Sequence, residues 1–381
     1  MIELETPPPA PRITKTGIPV RNLWYMLLYV WDAVHLMNHW KSDVEGAPTL
    51  DALLGNVLAR LVEQRLRIGL GRDYRTHAAE IAGVRGRVDF NRSLNRMSFQ
   101  HGRASCQFQL FSADVLKNQI IRSTMARLVQ IGDFGSGRRK ENELRSRLRR
   151  LVLDMQAIEI IELKVASIRR EQLNRHDMDY AVMLAICFLL NQRQIPMEHA
   201  GDTRLPGLDR DALTLYNVYE RFVAKFYARH LDGWTVSPQP KLVWPAEDSS
   251  DFLPEMRPDL TLQHDQTKHL IVLDTKFTAK ILVTGQWGNQ TFNRDHLFQI
   301  YAYLKSQEHR SENHKSSTGI LLYPTVNHDL SESVTMQGHS IRWETVDLAK
   351  PWQHIETELL AIPAAIVGRR NPQTQSGAGH P

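Results

Sequence analysis

The sequence predicts an α+β chain in two parts: a mostly helical N-terminal domain, then an α-β-β-β-α-β domain with a mixed sheet flanked by helices. Three observations predict it. Apolar residues recur at helical spacing through much of 18–193, as at Leu23, Met26, Leu27, Val30 and Val34. Near residue 200 the texture changes at "GDTRLPGLDRD", which has the turn chemistry of a linker. Beyond it, strand-like runs alternate with helical patterns.

The elements follow in order. Residues 1–17 are Pro-rich, lack the apolar stretch of a signal peptide and read as a disordered lead-in. "IPVRNLWYMLLYVWDAVHLM" is the first helix, and its aromatic density reads as core, with interface anchoring as the alternative. "TLDALLGNVLARLVEQRLRIGL" is the second. "YRTHAAEIAGVRGRVDFNRSL" reads as short strands around Gly83 and Gly86, with Arg85 and Arg87 on one strand face. Helical patterns return at 114–131, 139–156 and 177–193. The 139–156 helix is strongly basic, through Arg145, Arg147, Arg149 and Arg150. Its cations read either as a solvated face or as a phosphate-contacting surface.

The second domain spans 201–368. It opens with the helix "ALTLYNVYERFVAKFYARHL", followed by the runs "TVSPQPKLVW", "MRPDLTLQH" and "HLIVLDTKF". A loop, "TGQWGNQTFN", leads to the helix "RDHLFQIYAYLKSQ" and the buried strand "TGILLYP". The strand "SIRWETVDL" and a final helix complete the unit, and 369–381 reads as a disordered tail.

Bulk properties exclude several classes. The chain has 381 residues, 42% hydrophobic and 23% charged, as in soluble globular proteins. Its 47 Lys+Arg against 42 Asp+Glu permit nucleic-acid binding without requiring it. Two cysteines, Cys106 and Cys187, exclude a disulfide framework and a four-cysteine zinc site, and they fit a reducing cytoplasm. No apolar run reaches 18 residues, so no membrane span is expected.

The chemistry concentrates in "MRPDLTLQHDQTKHLIVLDTKF". Asp259 stands at the start of one strand, and Asp274 and Lys276 share a face at the end of the next. The short "QHDQTK" connection makes these strands hairpin partners, so two carboxylates and an ammonium converge on an apolar sheet. Uncompensated buried charge is costly. Mg²⁺ would compensate it, held by Asp259 and Asp274, with the backbone carbonyl of Thr275 as a further oxygen. Lys276 would then position or deprotonate a water, or stabilise developing negative charge. The competing explanation is a plain salt bridge. Against it stand Pro-Asp 15 residues upstream of Asp-x-Lys, the buried strand that Asp-x-Lys closes, and the order of the surrounding elements.

These features resemble the PD-(D/E)xK nuclease superfamily, with Pro258-Asp259 and Asp274-Thr275-Lys276 in its two motif positions. Gln299 and Tyr303 on the next helix resemble the Q-x-x-x-Y accessory motif of several branches; otherwise they are ordinary helix surface and core. Glu220 resembles the upstream acid of many members and would be a third metal carboxylate; otherwise it is an exposed helix glutamate.

A wider resemblance runs from about residue 17 to 362. "GIPVRNLWYMLLYVWD", "GVRGRVDF" and "DVLKNQIIRSTMARL" resemble the McrC family, the nuclease subunits of McrBC modification-dependent restriction systems. That resemblance implies a partner-docking role for 18–200 and a partner, a McrB-like AAA+ GTPase ring that recognises methylated cytosine and translocates double-stranded DNA. It implies that this chain stimulates GTP hydrolysis and cuts DNA with Mg²⁺. The sequence has no G-x-x-x-x-G-K-[ST], so GTP would be bound by the partner. A stand-alone repair nuclease and a non-enzymatic activator of an NTPase ring are the alternative readings.

Overall fold

A computed structural model gives the fold and describes residues 17–37, 47–135, 138–164, 178–194, 210–248, 250, 252–278, 281–284 and 289–368. Chain contacts divide it into two units: Met1–Glu45 with Asp202–Pro381, and Gly46–Gly201. The lead-in and tail expected at 1–17 and 369–381 lie outside the described residues, apart from Gly17.

The first helix, α1 (Val20–Val30), is apolar on nearly every side, and nine of its residues are buried. Such a helix needs cover all round. It belongs with the C-terminal unit, whereas the sequence reading grouped it with 18–200. The Tyr29 ring lies 5.5 Å from Phe222, 5.6 Å from Phe226 and 5.8 Å from Trp352. Asn22 is the buried polar exception. Its Nδ2 donates to the carbonyls of Leu348 and Lys350 at 2.8 Å each, clamping residues more than 320 positions apart. Within "IPVRN", Asn22 is therefore a structural clamp.

In the unit Gly46–Gly201, α2 (Leu50–Ile68) begins at Thr49, whose side chain accepts from the Ala52 amide. A three-stranded antiparallel sheet follows: β1 (Asp73–Ala82), β2 (Arg87–Val88) and β3 (Arg103–Ser112), with β3 central, and α3 (Phe90–Asn95) between β2 and β3. Strand β3 was not anticipated. Arg85 lies in the turn before β2, with its guanidinium over the Phe108 ring at 4.5 Å, so it shares no strand face with Arg87. Among the described residues of the unit, three further helices follow: α4 (Leu116–Ile131), α5 (Arg138–Asp154) and α6 (Met178–Gln194). On basic α5, Arg147 donates twice to Glu63, at 2.7 and 2.6 Å, and Arg145 donates to the Gly132 carbonyl at 3.2 Å. Those two cations fasten α5 to its neighbours and leave the phosphate reading to the others. Cys106 and Cys187 are free and buried, and burial pushes the Cys187 thiol up to about 12.

The C-terminal unit continues with α7 (Arg210–His230), then β4 (Trp234–Pro238), β5 (Leu260–His264) and β6 (Leu270–Thr275). A small hairpin, β7 (Leu282–Thr284) with β8 (Gln290–Phe292), spans the expected loop and leads to α8 (Arg294–Ser306). A short α9 (Glu312–Lys315) precedes β9 (Thr318–Thr325), β10 (Ser331–Met336), β11 (His339–Asp347) and α10 (Trp352–Gly368). The sheet order is β10-β11-β9-β6-β5-β4, with β6, β9 and β11 parallel and the rest antiparallel. This is the expected α-β-β-β-α-β order and mixed sheet, with the further strand expected at "SIRWETVDL" present as β11 and an unanticipated edge strand, β10, beside it. Edge strand β10 is polar and mostly exposed, and it turns into β11 through Gln337 and Gly338, both at positive φ.

Parallel β6 and β9 are covered on both faces, as their apolar runs require. On one face, Ile300 and Leu304 of α8 pack with Val272, Leu321, Tyr323 and Ile341. Gly319 lets α8 approach: a Cβ there would stand 2.7 Å from Ile300 Cγ1 and 2.9 Å from Leu304 Cδ1. Among the described residues, no helix is long and apolar enough to cross a membrane.

The clamp can be tested directly. Asn22→Ala strands two carbonyl acceptors and should destabilise the fold by about 1–3 kcal/mol in denaturant titration.

Candidate active site

The β5–β6 register sets Leu260 opposite Leu273, and its next step sets Asp259 opposite Asp274. Asp274 is two residues beyond Val272 and so faces α8, as does Lys276. The hairpin thus gathers both carboxylates and the ammonium at the carboxyl end of β6, where ligands of open sheets bind.

Each group is held. Asp259 Oδ2 accepts from the Thr275 amide at 2.7 Å and from Thr275 Oγ1 at 2.6 Å. Buried Asp274 forms an ion pair with Lys276 through Oδ2, yet that oxygen accepts no well-aligned hydrogen bond. Lys276 Nζ donates to Gln299 Oε1 at 2.7 Å. Gln299 Nε2 donates to Tyr303 Oη at 3.0 Å, and Tyr303 Oη donates to the Arg257 carbonyl at 3.3 Å. Gln299 and Tyr303 are one turn apart on α8, so one helix face carries the relay. Asn293 caps that helix, its Oδ1 accepting from the amides of Asp295 and His296.

Glu220 on α7 accepts from Gln239 Nε2 at 2.6 Å, while the Gln239 amide donates to the Asp259 carbonyl. It is half-buried, and Asp259 and Lys276 both act on its charge. Glu220 therefore belongs to the cluster.

The electrostatics are those of acids short of positive charge. Burial raises Asp274 to about 6, Lys276 opposes this, and Asp259 adds to it. Burial also raises Asp259, against the hydrogen bonds from Thr275 and the charge of Lys276. Glu220 is raised by burial and then by Asp259. Three carboxyls thus act on one another, with Lys276 as the cation they share and Arg221 acting on Glu220 alone.

That imbalance fits a hard divalent cation. Among the described residues no group of three His, Cys, Asp or Glu side chains forms a metal cage. Mg²⁺ does not need one, because it binds through one or two carboxylates and keeps several waters. Asp259 with Asp274 is such a pair, and Asp274 has a single lysine as its ion-pair partner.

Three residues that the sequence reading passed over also belong here. Tyr216, one turn before Glu220, is pushed up by burial and by Asp259, Glu220 and Asp274. His296, one turn before Gln299, meets buried Tyr323 of β9, its Nδ1 lying 2.9 Å from Tyr323 Oη. Helical periodicity around Glu220 and Gln299 carried the signal for the first two.

Residues 10–324 match the family described as McrBC 5-methylcytosine restriction system component. A relative from Escherichia coli K12, the type IV methyl-directed restriction enzyme EcoKMcrBC, is 28% identical over 351 residues, 91% of this chain and 97% of that protein. McrC, as bound to McrB AAA+ hexamers in a Thermococcus gammatolerans half-complex, shares the fold. The TM-score is 0.55 at 16% identity, covering 91% of this chain and 76% of that one.

Thr275→Val tests the carboxylate's anchoring. Losing the Oγ1 donor should raise the Asp259 pKa further in a carboxyl NMR titration. The variant should also lose about 1–3 kcal/mol of stability at neutral pH. That deficit should shrink as pH falls and the carboxylate, the form the bond stabilises, takes its proton.

Proposed function

The chain belongs to the family of McrBC 5-methylcytosine restriction system components, and on that premise we propose that it is the Mg²⁺-dependent DNA endonuclease of a GTP-driven, modified-cytosine-specific restriction complex. The observation that carries the reading is the placement of Asp259, Asp274 and Lys276 at one strand end, with Gln299 and Tyr303 bracing the lysine. This is the arrangement expected of a PD-(D/E)xK nuclease.

Asp259 and Asp274 would hold Mg²⁺, with the Thr275 carbonyl as a further oxygen donor, whereas Glu220, held by Gln239, completes no set of three metal-holding side chains with them among the described residues. When bound, the ion supplies positive charge against the phosphoryl oxygens and acidifies water. The chain's own residues do the rest. Thr275 fixes the rotamer of Asp259 through two donors. Gln299 Oε1 accepts a hydrogen bond from one N–H of the Lys276 ammonium and so limits where the other two point. Lys276 then serves the attacking water or the negative charge developing on the phosphoryl group. Tyr303, tied to the Arg257 carbonyl, orients the Gln299 amide so that its oxygen faces the lysine.

GTP belongs to a partner in this reading, because the chain has no phosphate-binding P-loop sequence. A McrB-like AAA+ ring is that partner, as in the Thermococcus complex. It would supply methyl-cytosine recognition and movement along double-stranded DNA in the cytoplasm, and this chain would stimulate its GTPase and cut.

With its ring partner, GTP, Mg²⁺ and methylated duplex DNA, Asp274→Ala should reduce cleavage to background while GTPase stimulation persists. Wild-type cleavage by that variant would refute the site. In the same assay Gln299→Ala should slow cutting roughly 10-fold or more, as expected for losing a hydrogen bond to a charged group. Omitting GTP should abolish cutting, whereas a stand-alone nuclease would cut without it.

A further inference from the structure

The braced lysine has a neighbour that the proposed chemistry has not used. His296, Gln299 and Tyr303 stand at i, i+3 and i+7 on α8 and share one face. Gln299 and Tyr303 occupy the lower two places of that stripe with the Lys276 relay. His296 occupies the third, at the N-terminal end of the helix, and is half-buried.

Its proton can be placed. Tyr323 is fully buried on β9, whose parallel register sets Leu322 opposite Thr275. The phenol has a single proton, held on by burial and by the charge of Asp274. Among the described residues, His296 Nδ1 is the hydrogen-bond partner of Tyr323 Oη. A phenol that donates to Nδ1 satisfies its one buried proton, and in that tautomer the imidazole's own proton sits on Nε2. Burial and the Lys276 ammonium both disfavour a second proton on the ring. In that tautomer His296 is a neutral donor within electrostatic reach of the Lys276 ammonium, on the helix face that carries Gln299 and Tyr303.

We propose that His296 is a further substrate-binding residue of this site, its Nε2–H donating to a non-bridging phosphate oxygen of the DNA strand lying over Lys276. The proposal rests on the phosphodiesterase reading above. A neutral donor suits this position. It binds the phosphate without adding a cation that would compete with metal-binding carboxylates, and charge-assisted hydrogen bonds to phosphate are the stronger kind. Tyr323 acts through His296, and so is a positioning residue.

The test compares three variants of the full chain, each assembled with its ring partner, in single-turnover cleavage of methylated duplex DNA. His296→Ala should cut roughly 10- to 100-fold more slowly, the loss expected for one hydrogen bond to a charged group. His296→Gln, which can place an amide N–H where Nε2–H stood, should recover most of the rate. His296→Asn, which can accept from Tyr323 but cannot reach the strand, should stay slow. Unchanged stimulation of the partner's GTPase would show that the variants are folded and docked. Wild-type speed in His296→Ala, equal rates for the Asn and Gln variants, or slow cutting by all three would each overturn the assignment. Asp274→Ala in the same series separates the two readings. If it is inactive while His296→Ala is fast, only the His296 assignment falls. If Asp274→Ala cuts, both fall.

Discussion

The C-terminal unit is organised around a shortage of positive charge at the end of β6. Asp274 follows the run Leu-Ile-Val-Leu near the end of a strand inside a mixed sheet, with Lys276 as its direct counter-ion. Asp259 and Glu220 crowd the same point. Burying so much unbalanced charge opposes folding, and proteins accept it chiefly where function requires it. Much of the surrounding architecture serves to keep these groups in place: the tight hairpin, the Thr275 anchor and the capped helix α8.

The supports reach far along the chain. Glycine at 319 lets α8 lie close against β9, which brings Gln299 within reach of Lys276. Helix α7 contributes Glu220 and Tyr216 on one side and the aromatic bed for α1 on the other. Helix α1 is then fixed through Asn22 to the segment leading into α10. The first helix of the sequence is thus part of the scaffold behind the site, and its aromatic density reflects core packing.

How much of this was legible in sequence depended on whether the signal was local. Asp259, Asp274 and Lys276 stood out because a period-2 strand and a short connection determine which side chains meet. Gln299 and Tyr303 stood out only because their Q-x-x-x-Y pattern resembles the accessory motif of several branches of the nuclease superfamily. Tyr323 did not, because its approach depends on β9 lying parallel beside β6, a pairing between residues 47 positions apart. Periodicity showed that α1 was buried but could not show against what, so its grouping with the C-terminal unit had to come from the structure. Strand β10 was silent because an exposed polar edge strand has no apolar alternation to read.

The central claim is that Asp259 and Asp274 are the carboxylates of one divalent-cation site. Electron paramagnetic resonance of Mn²⁺ added to the full chain with duplex DNA tests it most directly. The account predicts bound Mn²⁺ in the wild-type chain and its loss in both Asp259→Asn and Asp274→Asn. A wild-type chain that binds none, or variants that bind it undiminished, would contradict the account.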